Sequence, residues 1–370
     1  MNIGLSTTTL EPCHTKGHID GIGVYTSQLR ESFRQTGHHV TSLAFPHKTS
    51  SAGLICSQPF PGSFARLAGL GIASAGLIRY RLPVDLIHFT DYRIFPVKCP
   101  AIATLHDAIP LKFPEMCNPD FRAAKNFVQR SIARFADHVI TLSQASVPDI
   151  VEFYQLPANR ISVVGCGVSN DWLIEPEPCA VEQVLDKYAL NRGYFLFVGT
   201  FQPRKNVDRI IAAYRKLPAA IRSERKLVCV GRAGWRCEET VTQLQQLVAA
   251  GEAVWLNTID EDGELRAIYT GAGVFVFPSL YEGYGIPVLE AFACGVPVIT
   301  SNVSSLPEVS RQIGVELDPT SIDDLTDAMK WLATDETERR QRATAGRLLA
   351  DSLSWDTVAA QTLAVYNKIL

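Results

Sequence analysis

Two glutamates in the second half of the sequence, Glu282 and Glu290, could bind a polar ligand together. They lie eight residues apart and frame a Gly-Tyr-Gly triplet and an apolar segment that contains Pro287 and ends near Gly295. Because Pro suits the first turn of a helix and Gly its end, we predict a short helix with Glu282 in the loop before it and Glu290 about one turn inside. Glutamate is rarely buried unless it is paired or ligated. The pattern therefore favours carboxylates that bind the hydroxyl groups of a sugar.

Two adjacent cations, Arg204 and Lys205, follow the apolar run 194–198 and come just before a predicted helix. Arg offers a planar fork of donors and Lys a point charge, so the pair is suited to a diphosphate. The alternative is an ordinary pair of solvated loop charges. Gly231 opens a second loop, 231–235, that also follows an apolar run, and we predict that it serves the same ligand.

Polar residues also end an apolar run in the first half of the chain. His106 and Asp107 close the run that begins at residue 101, and Pro110 prevents further strand pairing. A polar pair at the carboxyl end of a buried strand favours a functional role, although a lone His is more often a hydrogen-bonded core residue.

A glycine-rich segment, 17–25, is predicted to open a helix after the first strand. Gly21 and Gly23 would let backbone approach a ligand and would leave amide groups for phosphate or sugar hydroxyls. The spacing is not GxGxxG, so no dinucleotide site is indicated, and a plain tight turn is an equal alternative. Two other patterns are interpreted as helix starts without a ligand: the acidic triplet 260–262 and a capping box at 305–308.

Short apolar runs alternate with segments of helical period, which predicts parallel sheets covered by helices on both faces. The pattern starts twice, so we predict an α/β fold of two doubly wound, Rossmann-like domains that face each other across a cleft. The domains are predicted at 1–168 and 169–354, with a hinge near the Pro-rich and acidic stretch 175–178 and a final helix, 355–370, that packs back on the first domain. The predicted strands are 2–6, 39–45, 85–90, 101–106, 138–143, 161–165, 194–198, 226–230, 253–257, 274–278 and 297–300.

The composition excludes several classes of protein. The chain has 370 residues, with 35 Lys and Arg against 38 Asp and Glu, so no global positive field favours nucleic acid. Its nine Cys form no CxxC pair and indicate buried free thiols in a reducing, cytosolic compartment. The longest weakly polar stretch, 67–78, is too short to span a bilayer. Residues 62–134 carry ten basic and five acidic side chains, which favours either contact with an anionic membrane face or a merely solvated surface.

Taken together, these segments resemble family 4 retaining glycosyltransferases of the GT-B fold. The resemblance rests on 21–23, 106–107, 203–206, 231–235 and, most specifically, 282–290 followed by Gly295-Val296-Pro297-Val298. It implies transfer of a hexose from a nucleoside-diphosphate sugar to a hydroxyl acceptor with retention of configuration, without a cofactor or an essential metal.

The resemblance also implies roles for single residues. Arg204 and Lys205 would hold the departing diphosphate and Glu290 the ribose hydroxyls. Glu282 would contact the donor sugar, and His106 would line the sugar site. Many relatives have an Arg at the position of Thr200. Because this chain lacks that Arg, Arg204 and Lys205 would neutralise more of the phosphate charge. The other implied donor-binding residues are Gly21, Gly23, Asp107, Thr200, Gly231, Tyr284, Gly285 and Ile286.

Residues 105–111 and 203–206 are similar to bacterial mannosyltransferases of polysaccharide assembly. This similarity implies GDP-mannose as donor, a saccharide or polyprenyl-diphosphate-linked acceptor, and a cytoplasmic enzyme at the inner face of the membrane. Two other functions stay open: a non-catalytic protein that binds a nucleotide sugar or saccharide, and a nicotinamide-dependent oxidoreductase, against which the missing GxGxxG argues.

Overall fold

The computed structural model describes residues 1–15, 19–46, 54–117, 122–259 and 262–370. These residues form two compact units. Unit 1 comprises residues 1–167 and 355–370, and unit 2 comprises residues 168–354.

Unit 1 is built on a parallel sheet that has seven strands among its described residues. The strands are β1 (Asn2–Ser6), β2 (His39–Ala44), β3 (Gln58–Pro59), β4 (Leu86–Phe89), β5 (Ala101–Thr104), β6 (His138–Thr141) and β7 (Ile161–Val163), and their order in the sheet is β3-β2-β1-β4-β5-β6-β7. The central strand β4 and its neighbour β5 are buried along their whole length because helices cover both faces of the sheet. The helices are α1 (Pro12–Thr15), α2 (Gly21–Gln35), α3 (Phe64–Ala73), α4 (Ile109–Lys112), α5 (Arg122–Ala133) and α6 (Val147–Tyr154).

Unit 2 is built on a second parallel sheet, with six strands in its described part. The strands are β8 (Tyr194–Val198), β9 (Leu227–Val230), β10 (Ala253–Leu256), β11 (Ala272–Phe277), β12 (Val298–Ser301) and β13 (Val315–Leu317), and their order in the sheet is β10-β9-β8-β11-β12-β13. The helices are α7 (Asn170–Leu173), α8 (Pro178–Lys187), α9 (Val207–Lys216), α10 (Ala219–Glu224), α11 (Glu238–Ala249), α12 (Asp262–Gly271), α13 (Ile286–Ala293), α14 (Leu306–Ser310), α15 (Ile322–Thr334) and α16 (Glu336–Asp351).

The final helix, α17 (Trp355–Asn367), belongs to unit 1 and packs on α2. Its Trp355 ring lies 5.8 Å from Tyr25 and its Tyr366 ring 5.7 Å from Phe33, measured between centroids. The Tyr366 hydroxyl also lies 2.6 Å from Nδ1 of His88 in β4. The chain therefore enters unit 2 at residue 168 and leaves it at residue 354, and these two crossings are neighbours, because Val168 pairs with Ser354.

The prediction of two α/β units on parallel sheets is confirmed, and the predicted strands agree with the observed ones to within a few residues. The hinge predicted at 175–178 is wrong. Those residues lie inside unit 2, where Pro178 opens α8, because Pro is well tolerated in a first helical turn. The prediction that the cysteines are buried is wrong for most of them, since of the nine only Cys166, Cys229 and Cys237 are buried. Among the described residues, no helix is both long and apolar enough to cross a membrane.

Candidate active site

Three charged residues of unit 2, Arg204, Lys205 and Glu282, lie where the strand order of its sheet reverses. The chain runs outward from β8 through β9 to β10, and then resumes at β11 on the other side of β8. In open α/β sheets, ligands bind beyond the carboxyl ends of the strands at such a switch point. The loop after β8 carries Arg204 and Lys205, and the loop after β11 carries Glu282. The fold thus places both loops at one edge of the sheet.

The loop after β8 owes its shape to Asn206. This residue has a left-handed backbone conformation, with φ of 63°, which Asn adopts more readily than most side chains do. Its fully buried side-chain amide donates to the carbonyl oxygens of Pro278 (2.8 Å) and Pro319 (2.7 Å). Asn206 therefore ties the cation loop to the loop that follows β11. Asn206 belongs to the segment 203–206 that carries the family resemblance, but sequence analysis gave it no role of its own.

Glu282 forms ion pairs with both neighbouring cations. Arg204 Nη1 lies 2.6 Å from one carboxylate oxygen, and Lys205 Nζ lies 2.7 Å from the other. Burial alone would raise the pKa of Glu282, but the two positive charges outweigh burial and lower it to about 2. Only 7% of Glu282 and 9% of Lys205 is exposed, so these are not ordinary solvated loop charges. The cluster keeps a net positive charge beside a glutamate that stays ionised.

Two serines from the loop after β12 hold the Glu282 loop in place. The backbone N–H of Glu282 donates to Ser304 Oγ (3.0 Å), and Ser305 Oγ donates to the carbonyls of Glu282 (2.9 Å) and Tyr284 (2.6 Å). The capping box predicted at Ser305 is therefore wrong. Its hydroxyl makes no cap for α14, because it is buried under the site loop and finds carbonyl partners there.

Glu290 occupies the predicted position, one turn inside α13. The helix begins at Ile286 after Gly285, whose φ of 128° favours glycine. Glu290 is half-buried, and one of its carboxylate oxygens accepts a hydrogen bond from the hydroxyl of Tyr269 in α12 at 3.1 Å. Sequence reasoning did not find Tyr269, whose position gives no sign of chemistry.

The turns after β8 and β9 pack backbone against backbone. Gly231 has a φ of 139°, and a Cβ atom added to it would lie 2.1 Å from the carbonyl oxygen of Gly199. No other residue type fits there without displacing a loop. Thr200, the next residue after Gly199, is exposed, and Tyr284 is half-buried.

In unit 1, His106 follows β5 and is fixed in one tautomer. Its Nε2 donates to the carbonyl of Thr90 at 2.9 Å, and its ring meets Tyr25 edge to face at 5.2 Å between centroids. Burial lowers the pKa of His106, although the carbonyl of Thr90 and the carboxylate of Asp107 act in the opposite direction. The imidazole is therefore neutral at pH 7, with Nδ1 as an acceptor.

An ion pair at the end of β4 was missed by sequence reasoning. Asp91 is 1% exposed and accepts from the backbone N–H of Arg93 (2.8 Å) and from its Nε (2.7 Å). Asp91 follows the strand beside β1, where the strand order of this sheet also reverses. The signal was available, since an Asp two residues from an Arg follows a buried strand. Nearby, Asp107 Oδ1 accepts from the backbone N–H of Ile109 (2.8 Å) at the start of α4.

The glycine-rich segment does open a helix, but one of its expected free amides is occupied. Asp20 Oδ1 caps α2 by accepting from the N–H of Gly23 at 2.9 Å. A Cβ atom on Gly23 would lie 2.5 Å from Ile19 Cγ2, so close packing explains this glycine, whereas the space around Gly21 is open.

Two predicted segments lie partly outside the described residues. These residues are Gly17 and His18 of the glycine-rich segment, and Asp260 and Glu261 of the acidic triplet.

Comparison with known proteins identifies the family. The family described as Glycosyltransferase Family 4 matches residues 19–172, and the one described as Glycosyl transferases group 1 matches residues 186–348. O-antigen chain mannosyltransferase B of Escherichia coli is 35% identical over 276 residues, which cover 73% of this chain and 70% of that protein. The chain belongs to glycosyltransferase family 4. The prediction of a hexosyltransferase that uses a nucleotide sugar is confirmed at this level.

Other members of the family differ in length and in their described reactions. Alpha-maltose-1-phosphate synthase of Mycolicibacterium smegmatis is 30% identical over 287 residues, which cover 73% of this chain and 73% of that protein. The serotype-specific mannosyltransferase WbdA of E. coli is 28% identical over 276 residues, but this match covers only 33% of WbdA.

Solved structures confirm the GT-B fold. Sucrose-phosphate synthase from Thermosynechococcus elongatus superposes with a TM-score of 0.75 at 22% identity, over 100% of this chain and 98% of that one. Anabaena HepE, in complex with UDP-glucose, superposes with a TM-score of 0.74 at 16% identity, over 100% of both chains.

Proposed function

We propose that this enzyme transfers mannose from GDP-mannose, with retention of configuration, to a saccharide or polyprenyl-diphosphate-linked acceptor in bacterial surface polysaccharide synthesis. The cluster of Arg204, Lys205 and Glu282 at the switch point of unit 2 carries the proposal, since it fits a diphosphate joined to a sugar. The choice of mannose is supported by the 35% identity to an E. coli O-antigen mannosyltransferase. The GDP base and the acceptor class rest on the resemblance of residues 105–111 and 203–206 to mannosyltransferases.

Arg204 and Lys205 are proposed to stabilise the nucleoside diphosphate as it leaves the sugar. The bond between the anomeric carbon and the phosphate oxygen breaks with its electrons on that oxygen, so negative charge grows on the diphosphate. Fixed, partly desolvated cations lower the free energy of such a transition state. Because these cations are already built into the loop, the proposal needs no metal ion. The acceptor hydroxyl bonds to the anomeric carbon and gives its proton to the departing phosphate oxygen.

Glu282 is proposed to bind hydroxyl groups of the donor sugar. A carboxylate has about four acceptor positions, so its two ion pairs leave room for hydroxyl donors. Its depressed pKa keeps it an acceptor throughout the neutral range. Glu290 is proposed to bind the ribose hydroxyls, and neutral His106 to offer Nδ1 to a sugar hydroxyl.

A binding screen with GDP, UDP, ADP and dTDP, paired with a transfer assay, tests the proposal. GDP at 100 times its dissociation constant is expected to stabilise the protein by about 2.7 kcal/mol. Lys205→Ala and Glu290→Ala are expected to abolish transfer while the fold is retained. Lys216→Ala is the matched control, because this lysine ends α9 and pairs with Asp323 on the surface.

Two results would contradict the proposal. Unchanged turnover in both site variants would remove the assigned site. Tighter binding of UDP, ADP or dTDP than of GDP would exclude GDP as the nucleotide of the donor.

We also propose that unit 1 contacts an anionic membrane face through a basic-apolar surface on and after α3. This surface consists of Leu70, Leu77, Ile78, Arg66, Arg79 and Arg81, all of them exposed. Leu77 is 88% exposed, and an apolar side chain flanked by arginines suits the boundary between lipid headgroups and acyl chains. Such a contact would bring the enzyme to a lipid-linked acceptor.

A further inference from the structure

We infer that Tyr269 is a positioning residue that makes the enzyme selective for nucleotides with ribose hydroxyls, through its hydrogen bond to Glu290. The inference rests on the proposed role of Glu290 in ribose binding. It adds a residue to the site that does not itself contact the nucleotide.

Tyr269 is held rigidly by its neighbours. The side chain is fully buried on α12, its ring lies 5.4 Å from Trp172 in an edge-to-face contact, and the Phe275 ring of β11 lies 5.3 Å away. The hydroxyl reaches from α12 to α13 and donates to Glu290 Oε2 at 3.1 Å. A rigid aromatic ring thus sets the position of one carboxylate oxygen.

The tyrosine also remains a hydrogen-bond donor at every working pH. Burial raises its pKa well above the ordinary value, and the negative charge of Glu290 raises it further. A phenol that stays protonated beside a carboxylate can only donate to it. The direction of the bond is therefore constant, with Glu290 always the acceptor.

Orientation matters because a carboxylate binds two adjacent hydroxyls best when both of its oxygens face them. A glutamate side chain that is free to rotate loses rotamer entropy when a ligand fixes it. If Tyr269 fixes Glu290 before the ligand arrives, that loss of entropy does not reduce the affinity for the nucleotide. Removal of the phenol should then weaken binding of nucleotides that have both ribose hydroxyls and leave nucleotides without them unaffected.

The test compares dissociation constants of GDP and UDP with those of their 2′,3′-dideoxy forms, measured by calorimetry on the full chain. We expect the wild type to prefer the ribose form at least tenfold. Tyr269→Phe, which removes only the hydroxyl, should reduce this preference several-fold through weaker binding of the ribose form alone. Glu290→Gln should nearly abolish it.

Tyr194→Phe is the matched control. Tyr194 is a buried tyrosine of the same unit whose hydroxyl donates to the carbonyl of Ile268 and not to Glu290. This variant should keep the wild-type preference, and its thermal midpoint shows what the loss of a buried hydroxyl does to stability alone.

The inference is overturned if Tyr269→Phe weakens both nucleotide forms equally, or neither, while Glu290→Gln still abolishes the preference. In that case the proposed role of Glu290 stands and only the positioning role falls. If the wild type has no preference for ribose, or Glu290→Gln retains it, then the proposed role of Glu290 fails and the inference fails with it.

Discussion

At the scale of single residues, the site depends on contacts between loops that are far apart in the chain. Arg204 and Glu282 are 78 residues apart, yet their charged atoms lie 2.6 Å from each other. The sequence predicted both residues from local patterns, but it could not predict their ion pair. That contact exists only because β8 and β11 are neighbours in the sheet and Asn206 ties their loops together. At Ser305 the local pattern was misleading. It predicted a helix cap, but the hydroxyl makes tertiary hydrogen bonds to the Glu282 loop instead.

Gly231→Ala should damage both stability and nucleotide binding. The new methyl group would lie 2.1 Å from the Gly199 carbonyl oxygen, in a backbone conformation that strains any residue with a Cβ atom. We expect a loss of about 1–3 kcal/mol in unfolding free energy and weaker GDP binding, because the loops after β8 and β9 must move apart. Urea denaturation and calorimetry measure the two effects.

Gly263→Ala is the control for this substitution. Gly263 lies in the first turn of α12, and a methyl group there would meet no described atom within 4 Å outside its chain neighbours and its own helix backbone. The change should therefore be neutral or stabilise by up to about 1 kcal/mol. Equal behaviour of the two variants would contradict the close approach at Gly231.

At the scale of elements, a buried hydrogen-bonded chain joins α17 to the sheet of unit 1. His88 Nδ1 lies 2.6 Å from the Tyr366 hydroxyl, and its Nε2 lies 2.7 Å from the Thr104 hydroxyl. Burial, with a smaller contribution from His106, lowers the pKa of His88 to about 3. Protonation of His88 therefore destabilises the folded state relative to the unfolded state.

His88→Gln should make unit 1 less sensitive to acid. The unfolded chain binds a proton on His88 below about pH 6.5, whereas the folded chain binds it only below about pH 3. Between these values the wild type loses about 1.4 kcal/mol per pH unit from this residue, or about 2 kcal/mol from pH 6.5 to 5. Urea denaturation at both pH values should show a smaller loss in His88→Gln. The exposed His39→Gln should behave as the wild type does, and an identical pH dependence in all three proteins would contradict the prediction.

The elements that sequence analysis missed are short or weakly periodic. β3 has two residues and β13 three, which is too few for an alternating pattern to appear. α3 was not predicted because its ten residues include two Gly, which have low helix propensity. Its buried side facing the core, which includes Leu67 and Ala68, stabilises it as a helix. The remaining strands were predictable, because a parallel sheet buried on both faces leaves near-continuous apolar runs.

At the scale of the whole molecule, membrane contact should depend on the basic-apolar surface. Arg66→Ser combined with Arg79→Ser removes two positive charges, each worth about 1 kcal/mol near an anionic surface. We expect roughly thirty-fold weaker binding to phosphatidylglycerol-containing vesicles in a sedimentation assay, and little binding of the wild type to neutral vesicles.

Arg192→Ser combined with Arg340→Ser gives the control with the same change in charge. Both of these arginines are exposed on unit 2, so vesicle binding should persist. Equal loss in both double variants would show that net charge matters and that the proposed surface does not.

The return of α17 to unit 1 affects how the protein can be made. During translation, residues 1–167 leave the ribosome before unit 2, while the helix that covers Tyr25 and hydrogen-bonds to His88 is synthesised after unit 2. Domains usually fold in order from the amino terminus as they emerge. Unit 1 cannot finish folding until α17 has been synthesised, so unit 2 can finish folding before unit 1 does. A nascent chain released early would present an uncovered α2 face to chaperones and proteases.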